Sequence, residues 1–284
     1  MSRTLDIEPL DASFGAIIHG VKVAEADDET FQALYAAWLK YALLIFPEQH
    51  LGREAQIAFA KRFGPLEFEM AALSNVRADG SIRAEKDNDD VIKVLKGNMG
   101  WHADSTYMPV QAKGAVFSAE IVPGVGGATG WADMRAAYDA LDPPIRAKVE
   151  ALSAFHSLHY SQSKLGHKPS EKSEYSGYGF HDGPVPRRPL VKSHPETGRK
   201  SLLIGRHAHN IPGMDVQESE RFLQELVEFA CQPPRIYHHR WKAGETVVWD
   251  NRCLLHQATP WDMTQPRVMW HSRIAGDPVS EAAL

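Results

Sequence analysis

The last fifty residues hold four short strand-like runs, 236–241, 246–249, 254–258 and 268–274, each bounded by turn residues. That crowding constrains the fold of this 284-residue chain more than any other feature, because closely spaced short strands favour sandwiches and barrels. The final run is also two-faced. Strand alternation puts Arg267, Met269, His271 and Arg273 on one side and Val268, Trp270, Ser272 and Ile274 on the other. Two readings fit: a solvated edge strand with snorkelling arginines, or a barrel interior where guanidinium meets a carboxylate.

Helices flank these strands. Asp27-Asp28-Glu29 opens a helix with Phe31, Leu34, Tyr35 and Leu39 at helical spacing, and 43–46 follows as a buried strand. A second helix over 53–63 stops at Gly64-Pro65, and 134–141 is a third. Asp215 and Glu218 start a fourth, which Pro233-Pro234 ends. Residues 70–90 read as a polar loop, and 91–95 and 115–122 as strands. A strand pair over 188–194 and 201–205 is expected around the turn 195–198. The sum is an α+β chain without repeats or linkers, expected to form one domain over 1–284. The aperiodic stretch 162–187 is long enough to be a substrate loop or lid.

Charge narrows the function. The net charge of −5, with no basic tail, argues against nucleic acid, and no apolar run reaches the 18 residues of a membrane span. Two cysteines, Cys231 and Cys253, form no disulfide framework. With no apolar leader after Met1, a cytoplasmic location is expected, and so is a homo-oligomer.

Fourteen histidines point to a metal or acid–base site. Chance alone gives about two His-x-Asp/Glu triplets, and two occur, so count says nothing. Context separates them. His194 precedes a Pro and a Thr-Gly turn and reads as a hairpin tip. His102 follows a turn feeding an extended segment, where His102 and Asp104 share a face, and His256 lies downstream. Two His and one carboxylate leave three octahedral positions free, as in non-haem Fe(II) oxygenases. Zinc also takes this set, but the His-Glu-x-x-His helix of metalloproteases is absent. Trp101, Tyr107, Met108 and Phe117 lie near these ligands in sequence and are candidate walls of an aryl pocket.

His102-x-Asp104, Thr129, Trp249-Asp250-Asn251-Arg252 ahead of His256, and Arg267 together resemble the taurine/2,4-dichlorophenoxyacetate dioxygenase family. The likeness runs from Gly15-Ala16-x-Ile18-x-Gly20 and Phe46-Pro47-Glu48-Gln49-His50 through Asp133-Met134-Arg135-Ala136-Ala137-Tyr138. Within the family, the stretches 101–110, 156–167 and 201–214 look closest to bacterial dioxygenases that cleave (S)-2-phenoxypropionate herbicides. The resemblance implies a double-stranded β-helix (jelly-roll, cupin-like) core and a cytoplasmic oxidoreductase of aromatic catabolism. It implies Fe(II) on His102, Asp104 and His256, with 2-oxoglutarate and O2 as cosubstrates. Arg267 would pair with the distal carboxylate of 2-oxoglutarate, assisted by Thr129. Several members carry a second arginine four residues after the first; this chain has His271 there. Arg273, Arg206 and His271 are therefore the candidates for the substrate anion.

The implied reaction hydroxylates the ether-bearing carbon of a small aryloxyalkanoate, the S hand favoured, and releases a phenol and pyruvate with succinate and CO2. Two alternatives stand: the same chemistry on taurine or an alkyl sulfate ester, and a catalytically silent jelly-roll binding protein. A serine hydrolase is disfavoured, since no Gly-x-Ser-x-Gly elbow occurs.

Overall fold

The computed structural model describes residues 4–83, 89–166, 179–181 and 183–284. In chain order the strands are β1 (Asp6–Pro9), β2 (Ala16–His19), β3 (Leu43–Phe46), β4 (Leu66–Ser74), β5 (Gly114–Ile121), β6 (Thr129–Asp133), β7 (Ser153–His156) and β8 (Arg187–Pro189). They continue with β9 (Val191–Ser193), β10 (Lys200–Leu202), β11 (Ala208–His209), β12 (Ile236–His239), β13 (Thr246–Asp250), β14 (Leu254–Ala258) and β15 (Val268–Ile274). The helices are α1 (Asp28–Tyr41), α2 (Arg53–Lys61), α3 (Asp90–Gly97), α4 (Met134–Asp139), α5 (Pro143–Glu150), α6 (Leu158–Ser163) and α7 (Val216–Ala230).

Seven strands form the large sheet in the order β1-β2-β3-β13-β5-β15-β4. Three-stranded sheets β12-β6-β14 and β11-β7-β8 and the ribbon β10-β9 complete the set among the described residues. Alternation decides how they stack. On β13, Val247 and Trp249 join Phe117, Met269, Trp131 and Leu254 in a core between the large sheet and β12-β6-β14. Val248, from the opposite face, joins Leu44, Phe46 and Ile274 under Phe31, Leu34 and Trp38 of α1 and Phe59 of α2. A third cluster packs α4 and α7 against Ala132 of β6 and Leu255 of β14. The order is helix, sheet, sheet, helix, with the cores in between.

β15 lies inside the large sheet, between β5 and β4, so the edge-strand reading is overturned. Its alternation is as expected: Gln56 of α2 donates to the Trp270 carbonyl at 3.0 Å and to Ser272 Oγ at 3.3 Å on one side. Arg267, His271 and Arg273 face a cavity on the other.

Two further sequence readings fail, and a third holds only in part. Residues 91–95 belong to α3, not to a strand, because the Asp89 side chain caps the helix by accepting the Val91 N–H at 2.8 Å. The cap outweighs the β preference of the two valines. The expected loop 70–90 begins instead as the end of β4, where Ala71-Ala72-Leu73-Ser74 pairs with β15. In the expected pair over 188–194 and 201–205, Val191–Ser193 does meet Lys200–Leu202, but Arg187–Pro189 pairs with β7. Of the expected lid 162–187, residues 167–178 and 182 lie outside the described residues.

A buried charge network ties β13 to the β9–β10 hairpin. Asp250 accepts Arg252 Nε at 2.8 Å and Nη2 at 2.7 Å, and His194 Nε2 at 2.9 Å. His194 Nδ1 in turn accepts the Glu196 and Thr197 N–H groups, so the hairpin tip is a buried anchor. Removing one partner of such a pair strands a buried charge. Asp250→Ala is expected to lower stability by about 3–5 kcal/mol, read from the urea unfolding midpoint.

Candidate active site

His102 lies between α3 and β5, in chain that forms no strand of its own. One antiparallel bridge joins it to His256 of β14: the His102 N–H donates to the His256 carbonyl at 3.0 Å, and the reverse bond is 2.7 Å. Asp104 sits in a turn beside Ser105, whose backbone is left-handed at φ 57°. The extended-strand argument therefore stops short of Asp104. What brings its side chain in is Asn251, just past β13. Its Oδ1 accepts the Asp104 N–H at 2.7 Å, and its Nδ2 donates to the Asp104 and Ala112 carbonyls, both at 2.9 Å.

The donor atoms of His102, Asp104 and His256 lie within 4.8 Å of one another, and all three residues are buried. The Gly100 carbonyl accepts His102 Nδ1–H at 2.7 Å, which leaves the Nε2 lone pair for the cluster. His256 Nε2 stands 3.8 Å from Asp104 Oδ2. The two Asp104 oxygens are unequal. Oδ1 accepts Arg273 Nη2 at 2.9 Å, whereas Oδ2 is buried with no hydrogen-bond partner. A bare buried acceptor costs about 1–3 kcal/mol, more when charged, and a cation relieves it. Two imidazoles, one carboxylate and that orphaned oxygen fit a first-row divalent metal.

Protonation favours the same end. Burial, with His256 close by, pushes His102 down to about 3; burial pushes His256 down to about 4. Burial, joined by Arg273, takes His271 down to about 3. Burial would raise Asp104, but Arg273 and the surrounding histidines hold it well below the usual carboxylate range. Two neutral imidazoles and a carboxylate are in the state a metal requires.

The cluster opens into a cavity of about 480 Å3, in the range of small-molecule sites. Phe68, Met70 and Leu73 of β4, Val91, Val94 and Leu95 of α3, and Leu158 of α6 give it an apolar wall. Thr129, Arg206, Arg267, His271 and Arg273 reach the same cavity. Tyr107 and Phe117 line it as expected, while Trp101 and Met108 do not. The sequence does not reveal the α3 wall, because that helix reads as a strand.

Three arginines meet different fates. Arg273 is bound to Asp104 and donates to Ser105 Oγ at 3.2 Å. Arg267 is 3 % exposed, lies over the Trp261 ring at 5.1 Å and donates to the Gly127 carbonyl at 3.3 Å. No carboxylate lies within ion-pair distance of it among the described residues, and burial lowers its pKa to about 10. Gly127 makes the seat: at φ +66°, a Cβ there would stand 3.3 Å from Arg267 Cδ and Nε. Arg206 donates to the Gly97 carbonyl at the end of α3 and to the Ser161 carbonyl of α6 at 3.2 Å. A Cβ on Gly97 would meet its Nη1 at 2.8 Å. Burial lowers Arg206 to about 10 as well, with Tyr107 opposing.

Beside it, Ser161 Oγ donates its one proton to the Leu158 carbonyl at 3.0 Å, so it accepts from His207 Nδ1 at 2.8 Å. His207 thus has an acceptor left, not a donor.

A family model described as Taurine catabolism dioxygenase TauD, TfdA family matches residues 6–273. The chain is 75% identical over 285 residues to an (S)-phenoxypropionate/alpha-ketoglutarate-dioxygenase of Sphingobium herbicidovorans, covering 100% of this chain and 99% of that one. It is 62% identical to a protein of the same name from Delftia acidovorans, with the same coverage. A crystal structure of AAD-2 in complex with Mn(II) and N-oxalylglycine superposes with a TM-score of 0.90 at 35% identity over 99% of each chain.

The buried imidazoles set an acid limit on the metal-free fold. His156, whose ring nitrogens have no hydrogen-bond partner, is also pushed down to about 3 by burial, with Arg188 adding. In the unfolded chain these rings take protons near pH 6.5. Below that pH the unfolded state binds more protons, and each ring removes about 1.4 kcal/mol per pH unit until its folded pKa is reached. Above pH 6.5 they add no slope. Urea midpoints of the metal-free protein are expected to fall steeply from pH 6.5 to 5; a flat profile would contradict neutral, buried histidines.

Proposed function

The chain belongs to the taurine catabolism dioxygenase TauD/TfdA family, and from that premise we propose how its site works. It is an Fe(II)- and 2-oxoglutarate-dependent dioxygenase that hydroxylates the ether-bearing carbon of an aryloxyalkanoate. The single observation that carries the site assignment is the orphaned Asp104 Oδ2 between two neutral imidazoles, in one cavity with the carboxylate-free Arg267. His102, Asp104 and His256 hold the iron. When bound, iron with 2-oxoglutarate and O2 supplies the oxidising power for oxygen insertion into a C–H bond, with succinate and CO2 formed.

The remaining work falls to the protein. Arg267 pairs with the distal carboxylate of 2-oxoglutarate and Thr129 adds a hydrogen bond. Arg273 is a positioning residue: by occupying Asp104 Oδ1 it leaves one oxygen for the metal. His271 is neutral, so it offers a substrate anion no charge. Of the three candidates, that leaves Arg206 as the group that holds the substrate carboxylate. β4 and α3 take the aryl ring and exclude water. A carboxylate fixed at Arg206, a ring fixed on α3 and the metal opposite present one hydrogen of the α-carbon for oxidation, which makes the enzyme selective for one hand. The hydroxylated product is a hemiketal, which collapses to a phenol and pyruvate when the substrate is a 2-phenoxypropionate.

We read the two facing sheets as the double-stranded β-helix of this family; the mainly antiparallel pairing of the large sheet, parallel only between β2 and β3, and the core shared with β12-β6-β14 support that reading. The family match over residues 6–273 supports one dioxygenase domain.

Arg206→Ala is expected to lower kcat/KM for (S)-2-phenoxypropionate about 30-fold or more and leave the 2-oxoglutarate KM unchanged. Arg273→Ala should instead weaken metal binding, seen by titration with Mn(II). Preferred turnover of taurine would contradict the substrate class. Loss of 2-oxoglutarate binding in Arg206→Ala would mean the two carboxylate sites are exchanged.

A further inference from the structure

Thr129 opens β6, opposite His239 of β12, and lines the same cavity as Arg267. A threonine hydroxyl has one proton and two lone pairs, and an indole N–H can only donate. Trp241, two residues beyond β12, donates Nε1–H to Thr129 Oγ1 at 2.9 Å. That bond occupies a lone pair and turns the hydroxyl proton away from the indole. Thr129 donates it to no protein acceptor among the described residues.

The indole is held by its neighbours. Its ring meets Phe117 edge-on at 5.5 Å and His239 edge-on at 4.8 Å, and Trp131 flanks it at 6.4 Å. His239 is itself fixed, because Nε2–H donates to Glu245 Oε2 at 2.8 Å, an oxygen that also accepts the Lys242 N–H at 2.7 Å. A rigid donor behind a hydroxyl is a device for fixing where that hydroxyl points.

We propose that Trp241 is a positioning residue for the cosubstrate: it orients the Thr129 hydroxyl so that its proton faces the distal carboxylate of 2-oxoglutarate beside Arg267. This rests on the assignment of Thr129 and Arg267 to that carboxylate. Trp241 does not touch the cosubstrate; it acts through Thr129, and the two residues count as one hydrogen bond.

The test is a double-mutant cycle read by calorimetric titration of 2-oxoglutarate into the Mn(II)-loaded protein, with steady-state kinetics in parallel. Trp241→Phe is expected to weaken 2-oxoglutarate binding about three- to tenfold, as for one hydrogen bond, with kcat and the aryloxy-acid KM unchanged. Thr129→Val should weaken it at least as much, Thr129→Ser should stay near wild type, and Trp241→Phe added to Thr129→Val should cost nothing more. If the two losses multiply, Trp241 acts through packing alone and the proposal falls while the carboxylate assignment stands. If Thr129→Val leaves binding unchanged, that assignment fails and the proposal with it. Should Trp241→Phe not fold, 3-benzothienylalanine at position 241 removes the N–H and keeps the bicyclic ring; unchanged 2-oxoglutarate affinity in that protein would also overturn the proposal.

Discussion

The site depends on the unequal treatment of one carboxylate. Asp104 Oδ1 is bound to Arg273 and Oδ2 is left bare in the interior. Neither state is cheap alone: an unpaired buried charge costs several kcal/mol, and a fully paired carboxylate has little affinity left for a metal. One oxygen tied and one free keeps Asp104 ionised and oriented. Much of the surrounding structure serves this balance. β15 is interior, so Arg273 approaches Asp104 from a buried strand; Asn251 holds the Asp104 backbone on both sides; and the bridge between His102 and His256 sets the two imidazoles against it.

The same cavity contains a second kind of imbalance. Arg267 and Arg206 are cations in an apolar setting whose protein partners are carbonyls. Carbonyl dipoles hold a guanidinium in place without neutralising it, so each keeps its charge for an incoming anion. The reaction brings two, 2-oxoglutarate and the aryloxy acid. Arg206 has a further role, since the Gly97 carbonyl it caps is the negative end of α3, the helix that supplies the apolar wall. Substrate anion and aryl wall are thereby placed relative to each other.

How far the sequence reveals this follows from what each residue does. His102, Asp104 and His256 stand out because metal chemistry restricts residue type, and Arg267 and Arg273 stand out because strand parity puts them on one face. The outer layers follow from helical spacing and caps, as at Asp27 and Asp215. The wall on α3 is hidden because Val91-Ile92-Lys93-Val94-Leu95 has strand-like composition, and a single cap at Asp89 decides the outcome. Asn251 stands in a recognisable motif, but its role, like that of Trp241, is hidden for another reason: their partners lie 147 and 112 residues away, and no local pattern reports such a contact. The seat of Arg206 is marked in sequence by a plain glycine, Gly97, whose meaning depends on a side chain brought in by the fold.

The central claim is that the metal takes one oxygen of Asp104 while Arg273 keeps the other. A crystal structure of the protein loaded with Mn(II) and N-oxalylglycine, with anomalous scattering to place the metal, measures it directly. The expected result is a metal bound by His102 Nε2, His256 Nε2 and Asp104 Oδ2, with the Arg273–Oδ1 bond intact. A metal bound through both Asp104 oxygens with Arg273 displaced, or one held by His271 in place of His102 or His256, would contradict the account.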